Sequence, residues 1–362
     1  MTNLAALYRG RRVLVTGHTG FKGAWLTLWL ADLGAKVTGY GLAPPTVPNL
    51  FEAAAIGSRV RHFDGDVRRR ADLVHAIREA QPELIFHLAA QSLVRESYRD
   101  PLTTFETNVM GTVNLLDAVR ACGVPCGIVV VTSDKCYDPG RPGPYCEGDP
   151  LGGDDVYSAS KGAAEIAAAS YRRSFFPPDR LAEHGVAVAT ARAGNVIGGG
   201  DWAADRLVPD AMRALAAGKE VAVRRPRAIR PWQHVLDPLA GYLSLGAALS
   251  WSSAAERAVA SQAWNFGPDA GATRTVADVL DAILVAYGAG AWRDTGEPGP
   301  HETALLTLDS TRARQQFGWA PRWGFEEAIA AAVHWYRAYA SGEDAFELCT
   351  RQLIEYAGAA VA

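Results

Sequence analysis

The apolar positions of this 362-residue chain fall first into short runs that have no polar face. Arg12-Val13-Leu14-Val15-Thr16 is one such run, and Ala35–Tyr40, Val60–Val67, Glu83–Ala90, Val129–Val131 and Val186–Ala191 continue the series. Short β-branched runs of this kind predict strands of a parallel sheet that is covered on both sides. Between them the period lengthens. Ala24–Leu33 reads as a helix stopped by Gly34, and Thr103–Cys122 as a long helix with an apolar stripe at Val109, Val113, Leu116 and Val119. After Ala191 the alternation weakens. Glu220–Arg224, Ile229–Val235 and Trp264–Gly267 read as pieces of a smaller mixed lobe, and Val276–Tyr287 and Phe325–Tyr339 as amphipathic helices.

The first strand runs straight into Gly17-His18-Thr19-Gly20-Phe21-Lys22-Gly23, and a helix pattern opens on that turn. A helix N-terminus after a glycine-rich turn can hold a pyrophosphate through free backbone N–H groups and the helix dipole. The spacing is GxxGxxG, a weak signal alone but a strong one directly after a first strand. Strand and helix alternate from there, so the predicted fold class is α/β. A Rossmann doubly wound parallel sheet would occupy residues 1–191 plus about 233–268. A smaller mixed α/β substrate-binding lobe would occupy 192–232 plus about 269–362.

Composition narrows the classes. A hydrophobic share of 49% and a charged share of 21% are those of an ordinary globular protein. A net charge of -3 argues against nucleic acid as a partner. Arg224, Arg225, Arg227 and Arg230 form only a local cluster, and for Arg224, Arg225 and Arg227 a solvated edge is an even reading. The five cysteines form no CxxC pair and no histidine cluster joins them, so no metal site is expected and reduced thiols in the cytoplasm are. No signal-peptide pattern precedes the first strand, and no apolar run approaches the roughly 20 residues of a membrane span.

The strand ends carry the remaining chemistry. The third ends in Asp66, an acid able to accept from an adenine amine. The fourth ends in small residues, Leu88-Ala89-Ala90, that admit a cofactor closely, with His87 read as a core histidine. The second strand lacks the acid that holds an NAD ribose, and no arginine follows to meet a 2′-phosphate; NAD is favoured over NADP. The fifth strand ends in Thr132-Ser133-Asp134-Lys135, and Tyr157 and Lys161 stand one helical turn apart. A phenol is a poor base at neutral pH, and a neighbouring ammonium favours the phenolate. Ser133 could then hold a substrate hydroxyl while Tyr157 takes its proton and a hydride passes to a nicotinamide.

Taken together, these residues resemble the extended short-chain dehydrogenase/reductases that modify nucleotide sugars, over nearly the whole chain. The narrower likeness is to the 4,6-dehydratases acting on CDP-glucose, through residues 15–23, 132–137, 192–202 and 230–235; Lys135 stands where most related dehydratases carry a glutamate. The resemblance implies that Tyr157, Lys161 and Ser133 oxidise C4 of the hexose at the expense of NAD. Lys135, as a neutral amine, would then take the C5 proton, and Asp134 would donate to the departing C6 hydroxyl before hydride returns to C6. It further implies cofactor contacts at Gly17–Gly23, Asp66, Val67, Leu88, Ala89, Ala90, Asn108, Tyr157 and Lys161. Substrate contacts are implied at Gln91, Arg95, Ser133, Asn195, Arg206, Arg230 and His301, with CDP-glucose as the partner. A cytoplasmic homodimer or homotetramer, supplying a precursor of surface deoxysugars, completes the expectation. Two other readings stay open: a nucleotide-sugar 4-epimerase of the same family, and a non-catalytic NAD(H)-binding protein.

Overall fold

The computed structural model describes residues 4–140, 143–296 and 306–358. Its main sheet has seven parallel strands in the order β10-β6-β5-β4-β1-β2-β3. They are β1 (Arg12–Thr16), β2 (Lys36–Gly41), β3 (Arg61–Asp64), β4 (Leu84–His87), β5 (Gly127–Val131), β6 (Ala187–Arg192) and β10 (Ala263–Asn265). The chain starts at the middle of this sheet, winds outward to β3, then returns past β1 to wind the other way. That reversal is the doubly wound topology predicted from the βα alternation.

The alternation of side chains along each strand explains why no polar face was visible. Val13, Val15, Phe86, Val129 and Val131 point into one core, and Leu14, Ile85, Ile128 and Val130 into another. The first core is closed by the Phe21–Asp32 and Leu236–Trp251 helices, the second by Arg70–Ala80, Gly111–Cys122 and Val156–Ser174. The Phe21–Asp32 helix is buried continuously from Gly23 to Leu30. It also touches the C-terminal Ala345–Gly358 helix, which is why its sequence is apolar all round.

One predicted element is built differently. Thr103–Cys122 is not one uniform helix. An α-turn at Pro101–Phe105 passes through a π-turn at Glu106–Met110 before the α-helix Gly111–Cys122. A π-turn inserts an extra residue and rotates everything after it. The buried face accordingly carries Asn108, Thr112, Leu115, Leu116 and Val119, while Val109 and Val113 are only partly covered.

Beyond β6 the strands are short. β7 (Asn195–Ile197) pairs parallel with β9 (Ile229–His234), which pairs antiparallel with β11 (Thr273–Thr275); β8 (Val221–Val223) pairs with β12 (Trp292–Asp294). These small sheets lie beyond the carboxyl ends of β5 and β6, facing the switch point of the main sheet. Among the described residues no helix is long and apolar enough to cross a membrane.

Candidate active site

A cleft of about 1010 Å³ runs over the carboxyl ends of β1, β4 and β5 and beneath the small sheets. Its floor begins at the glycine turn. Gly17 has φ +74, and a Cβ there would stand 2.6 Å from the Ala89 nitrogen; a Cβ on Gly23 would stand 2.1 Å from the Gly17 carbonyl oxygen. Only glycine fits at either position. Gly20 caps the Phe21–Asp32 helix without any side-chain hydrogen bond, so the first-turn N–H groups face the cleft uncapped. This is a cradle of the shape and polarity that a dinucleotide pyrophosphate needs.

Thr19, Gly20, Phe21 and Lys22 line the cleft with Asp66, Val67, Leu88, Ala89 and Ala90. His18 lies beneath it, with Nε2 2.7 Å from His62 Nδ1. Burial, then the neighbouring charges of Lys161 and Arg206, push the Lys22 amine down to about 7. The Asp66 carboxylate is already taken by Arg68, at 2.6 Å. His87 proves to be a satisfied core histidine, held between the hydroxyls of Thr16 at 2.7 Å and Thr112 at 3.3 Å.

The chemical end of the cleft is the tip of β5. Ser133 initiates a single 3₁₀ turn, Asp134–Cys136, and its Oγ accepts from the Lys135 N–H at 3.2 Å while donating to Asp134 Oδ1 at 2.8 Å. Asp134 is buried, and that burial raises its carboxyl above the usual range against the opposing pull of Lys135 and Ser133. Across from this turn the Val156–Ser174 helix begins at Asp155, which caps it by accepting from Ser158 N–H at 2.9 Å. Its first turns present Tyr157 and Lys161, with the Lys161 amine 5.9 Å from the Tyr157 ring centre. Burial pushes Tyr157 up to about 12 and Lys161 down to about 8. The expected lowering of the phenol is not what the folded chain shows: desolvation dominates, with Ser133 the largest opposing pull.

Gln91, Arg95, Asn195, Arg206 and Arg230 also line the cleft. Arg206 is paired with Asp201 at 2.7 Å and reaches Ser92 Oγ at 3.2 Å. Arg95 donates to Asp205 at 2.9 Å. Asn108 does not face the cleft; from the π-turn it ties the Gln91 backbone to Ser160 Oγ, with bonds of 2.8 to 3.0 Å. Arg224 and Arg225 stand in the cleft wall, Arg224 half-buried and Arg225 exposed. His301 lies outside the described residues.

Residues 14–248 match the family model described as GDP-mannose 4,6 dehydratase. The chain belongs to this family. A CDP-glucose 4,6-dehydratase of Salmonella typhimurium is 47% identical over 97% of this chain and 98% of its own length. Among solved structures, a dTDP-glucose 4,6-dehydratase from Streptomyces venezuelae with NAD bound superposes with a TM-score of 0.76 at 26% identity, covering 93% of this chain and all of that one. A Thermus thermophilus UDP-glucose 4-epimerase in complex with NAD gives 0.75 at 26%, covering 90% and 99%.

The Ser133 turn is held from behind by residues that sequence reasoning did not select. Glu165, one turn beyond Lys161, accepts from Thr132 Oγ1, from Thr190 Oγ1 at 2.7 Å and from Arg192 at 2.7 Å. Arg192 also donates to Tyr137 Oη at 2.7 Å, and that hydroxyl donates to Asn265 Oδ1 at 2.8 Å. The network joins β5, β6, β10 and the Val156–Ser174 helix directly behind Ser133. Gly162 lets that helix close in, since a Cβ there would come within 2.7 Å of the Gly152 carbonyl. The one available signal was an acid on the same helical face as Tyr157 and Lys161.

Proposed function

We propose that this chain is an NAD-dependent CDP-glucose 4,6-dehydratase, a hydro-lyase that makes CDP-4-dehydro-6-deoxy-D-glucose. One observation carries the reading: Asp134 and Lys135 follow Ser133 in one turn and line the same cleft as Tyr157 and Lys161. The 47% identity to the Salmonella typhimurium dehydratase over nearly the full length supports the cytidine nucleotide. The glycine cradle supports a dinucleotide, and both NAD-bound structural relatives support NAD as its identity. When bound, NAD supplies a hydride acceptor that becomes the donor within the same turnover, and so is not consumed.

The chain's own residues divide the rest. Gly17, Thr19, Gly20 and the first-turn N–H groups hold the pyrophosphate, and Leu88, Ala89 and Ala90 let the cofactor approach β4. Ser133 Oγ orients the C4 hydroxyl and Tyr157 Oη takes its proton, with the Lys161 amine beside it favouring the phenolate. A ketone at C4 acidifies the C5 proton, which Lys135 Nζ removes. Asp134 suits the task of proton donor to the leaving C6 hydroxyl because burial favours its protonated form. Arg206, Arg230 and Asn195 hold the nucleotide diphosphate, for which arginine's forked donors are fitted. Gln91 and Arg95 face the sugar.

The test is isotopic. With CDP-glucose deuterated at C4, the label appears at C6 within the same molecule. Return to C4 with inverted configuration would mean an epimerase, and no turnover of any nucleotide sugar would leave a binding protein. Replacing Lys135→Met abolishes elimination while C4 oxidation persists; undiminished elimination sinks its role as base. Exposed Leu102, Phe105, Met110, Ile166 and Phe175, on the adjoining Pro101–Cys122 and Val156–Ser174 segments, support a homodimer or homotetramer, to be checked by light scattering. Five unpaired cysteines suit a cytoplasmic setting. A 4-keto-6-deoxy product would feed surface deoxysugar synthesis.

A further inference from the structure

Asp205 has a backbone φ of +62, in the left-handed region that glycine, asparagine and aspartate enter more readily than other residues. It lies between β7 and the Leu207–Ala216 helix, in the wall of the cleft. Its Oδ1 accepts from Arg95 Nη1 at 2.9 Å and stands 3.6 Å from Arg224 Nη2. Arg95 comes from the Val94–Arg99 helix after β4, and Arg224 directly follows β8. A single carboxylate oxygen thus draws together two guanidinium groups from opposite sides of the cleft. In the next position Arg206 has its own carboxylate, Asp201.

Two arginines converging on one anionic oxygen is the arrangement that phosphate oxygens call for. One carboxylate leaves these two cations half neutralised, and the side chains of all three residues keep between 28% and 35% of their surface in contact with solvent. A partly solvated ion pair of this kind contributes little to stability, so a doubly charged ligand can displace it cheaply.

We propose that Arg224 is a substrate-binding residue, held over the cleft by Asp205 and exchanged from that carboxylate to the diphosphate of the incoming nucleotide sugar. The inference rests on the nucleotide-sugar reading of the cleft. It adds a third arginine to the diphosphate site and gives Asp205 the part of a placeholder. Asp205 keeps Arg95 after the exchange, so the loop remains attached to the β4 side.

Calorimetric titration with CDP and with cytidine tests it. Arg224→Met weakens CDP binding by about 10-fold, the worth of a charge-assisted contact, and leaves cytidine unchanged. Its KM for CDP-glucose rises while kcat holds. Arg224→Lys, which keeps the charge without the fork, loses less affinity for CDP and none for cytidine, and serves if methionine unfolds the lobe. Asp205→Asn, equally at ease in a left-handed backbone, tightens CDP because nothing charged competes for Arg224. Unchanged CDP binding in both arginine variants overturns the proposal. So does an equal loss for cytidine, or weaker CDP binding in Asp205→Asn. A wild-type chain that binds UDP but not CDP refutes the cytidine reading alone, and Arg224 is then judged on UDP against uridine. Failure to bind either nucleotide overturns both.

Discussion

Two ion-paired clusters, one behind the Ser133 turn and one in the cleft wall, are built on opposite terms. Behind the Ser133 turn, Glu165 and Arg192 each expose only 3% of their side chains, and the hydroxyls of Thr132, Thr190 and Tyr137 with the Glu147 carbonyl take up most of their capacity, leaving Arg192 Nε without a hydrogen bond. On the lobe side, Arg95, Asp205 and Arg224 share one carboxylate in partial contact with water. Desolvated charges lose heavily when a partner is taken away, so the first cluster is tied to one geometry. Solvated charges can trade partners at small cost, so the second can adapt. Proton and hydride transfer need atoms fixed within fractions of an ångström, whereas capturing a diphosphate needs charge that can be released.

The contrast is sharpest under substitution. Glu165→Ala strands the Arg192 charge in the interior, and a loss of about 3–5 kcal/mol in denaturant unfolding is expected. A loss below 1 kcal/mol would mean that water already reaches the pair and that the two clusters do not differ in kind. Gly162→Ala drives a methyl group against the Gly152 carbonyl, for an expected cost of about 1–3 kcal/mol and a marked fall in turnover as the Tyr157 helix backs away from the Ser133 turn.

Next in size is a pH effect. Lys161 is held at about 8 in the folded chain, below its ordinary value of 10.5. Between those two values the unfolded chain carries the proton and the folded chain does not, so stability rises with pH through that window. The burial penalty is fully present below pH 8 and gone above 10.5. Unfolding free energies at pH 7.5 and 9.5 should therefore climb more in the wild type than in Lys161→Met; equal slopes would show that Lys161 is not desolvated. The smallest change is expected at Asp205→Asn, where an exposed pair contributes under about 1 kcal/mol. A larger loss of stability there would make the lobe cluster structural and erase the distinction.

How much of this could be read in advance follows from the same contrast. The strands were legible because both faces of the sheet are covered, so burial wrote itself as continuous apolar runs at Val13–Val15 and Val129–Val131. The catalytic turn was legible because its residues are neighbours in sequence, as are Tyr157 and Lys161. Glu165 was not, since an acid in a helix ordinarily faces water, and only β6 arriving with Thr190 and Arg192 turns it inward. The π-turn escaped because no residue type demands it, and it shifted the predicted stripe off Val109 and Val113. Asp205 was invisible for a different reason: Arg95, Asp205 and Arg224 are more than a hundred positions apart at their extremes, and only the tertiary fold makes them neighbours.

The 3₁₀ turn after Ser133 has one more consequence. It is closed by Ser133 Oγ, which accepts from the Lys135 N–H and donates to the Asp134 carboxylate, so the Lys135 side chain takes no part in closing it. On the proposed assignment the second and third places, Asp134 and Lys135, serve the loss of water, while Ser133, Tyr157 and Lys161 serve the oxidation. The third place can thus change its side chain while the backbone hydrogen bond that closes the turn stays, whereas a change at the second also takes a partner from Ser133.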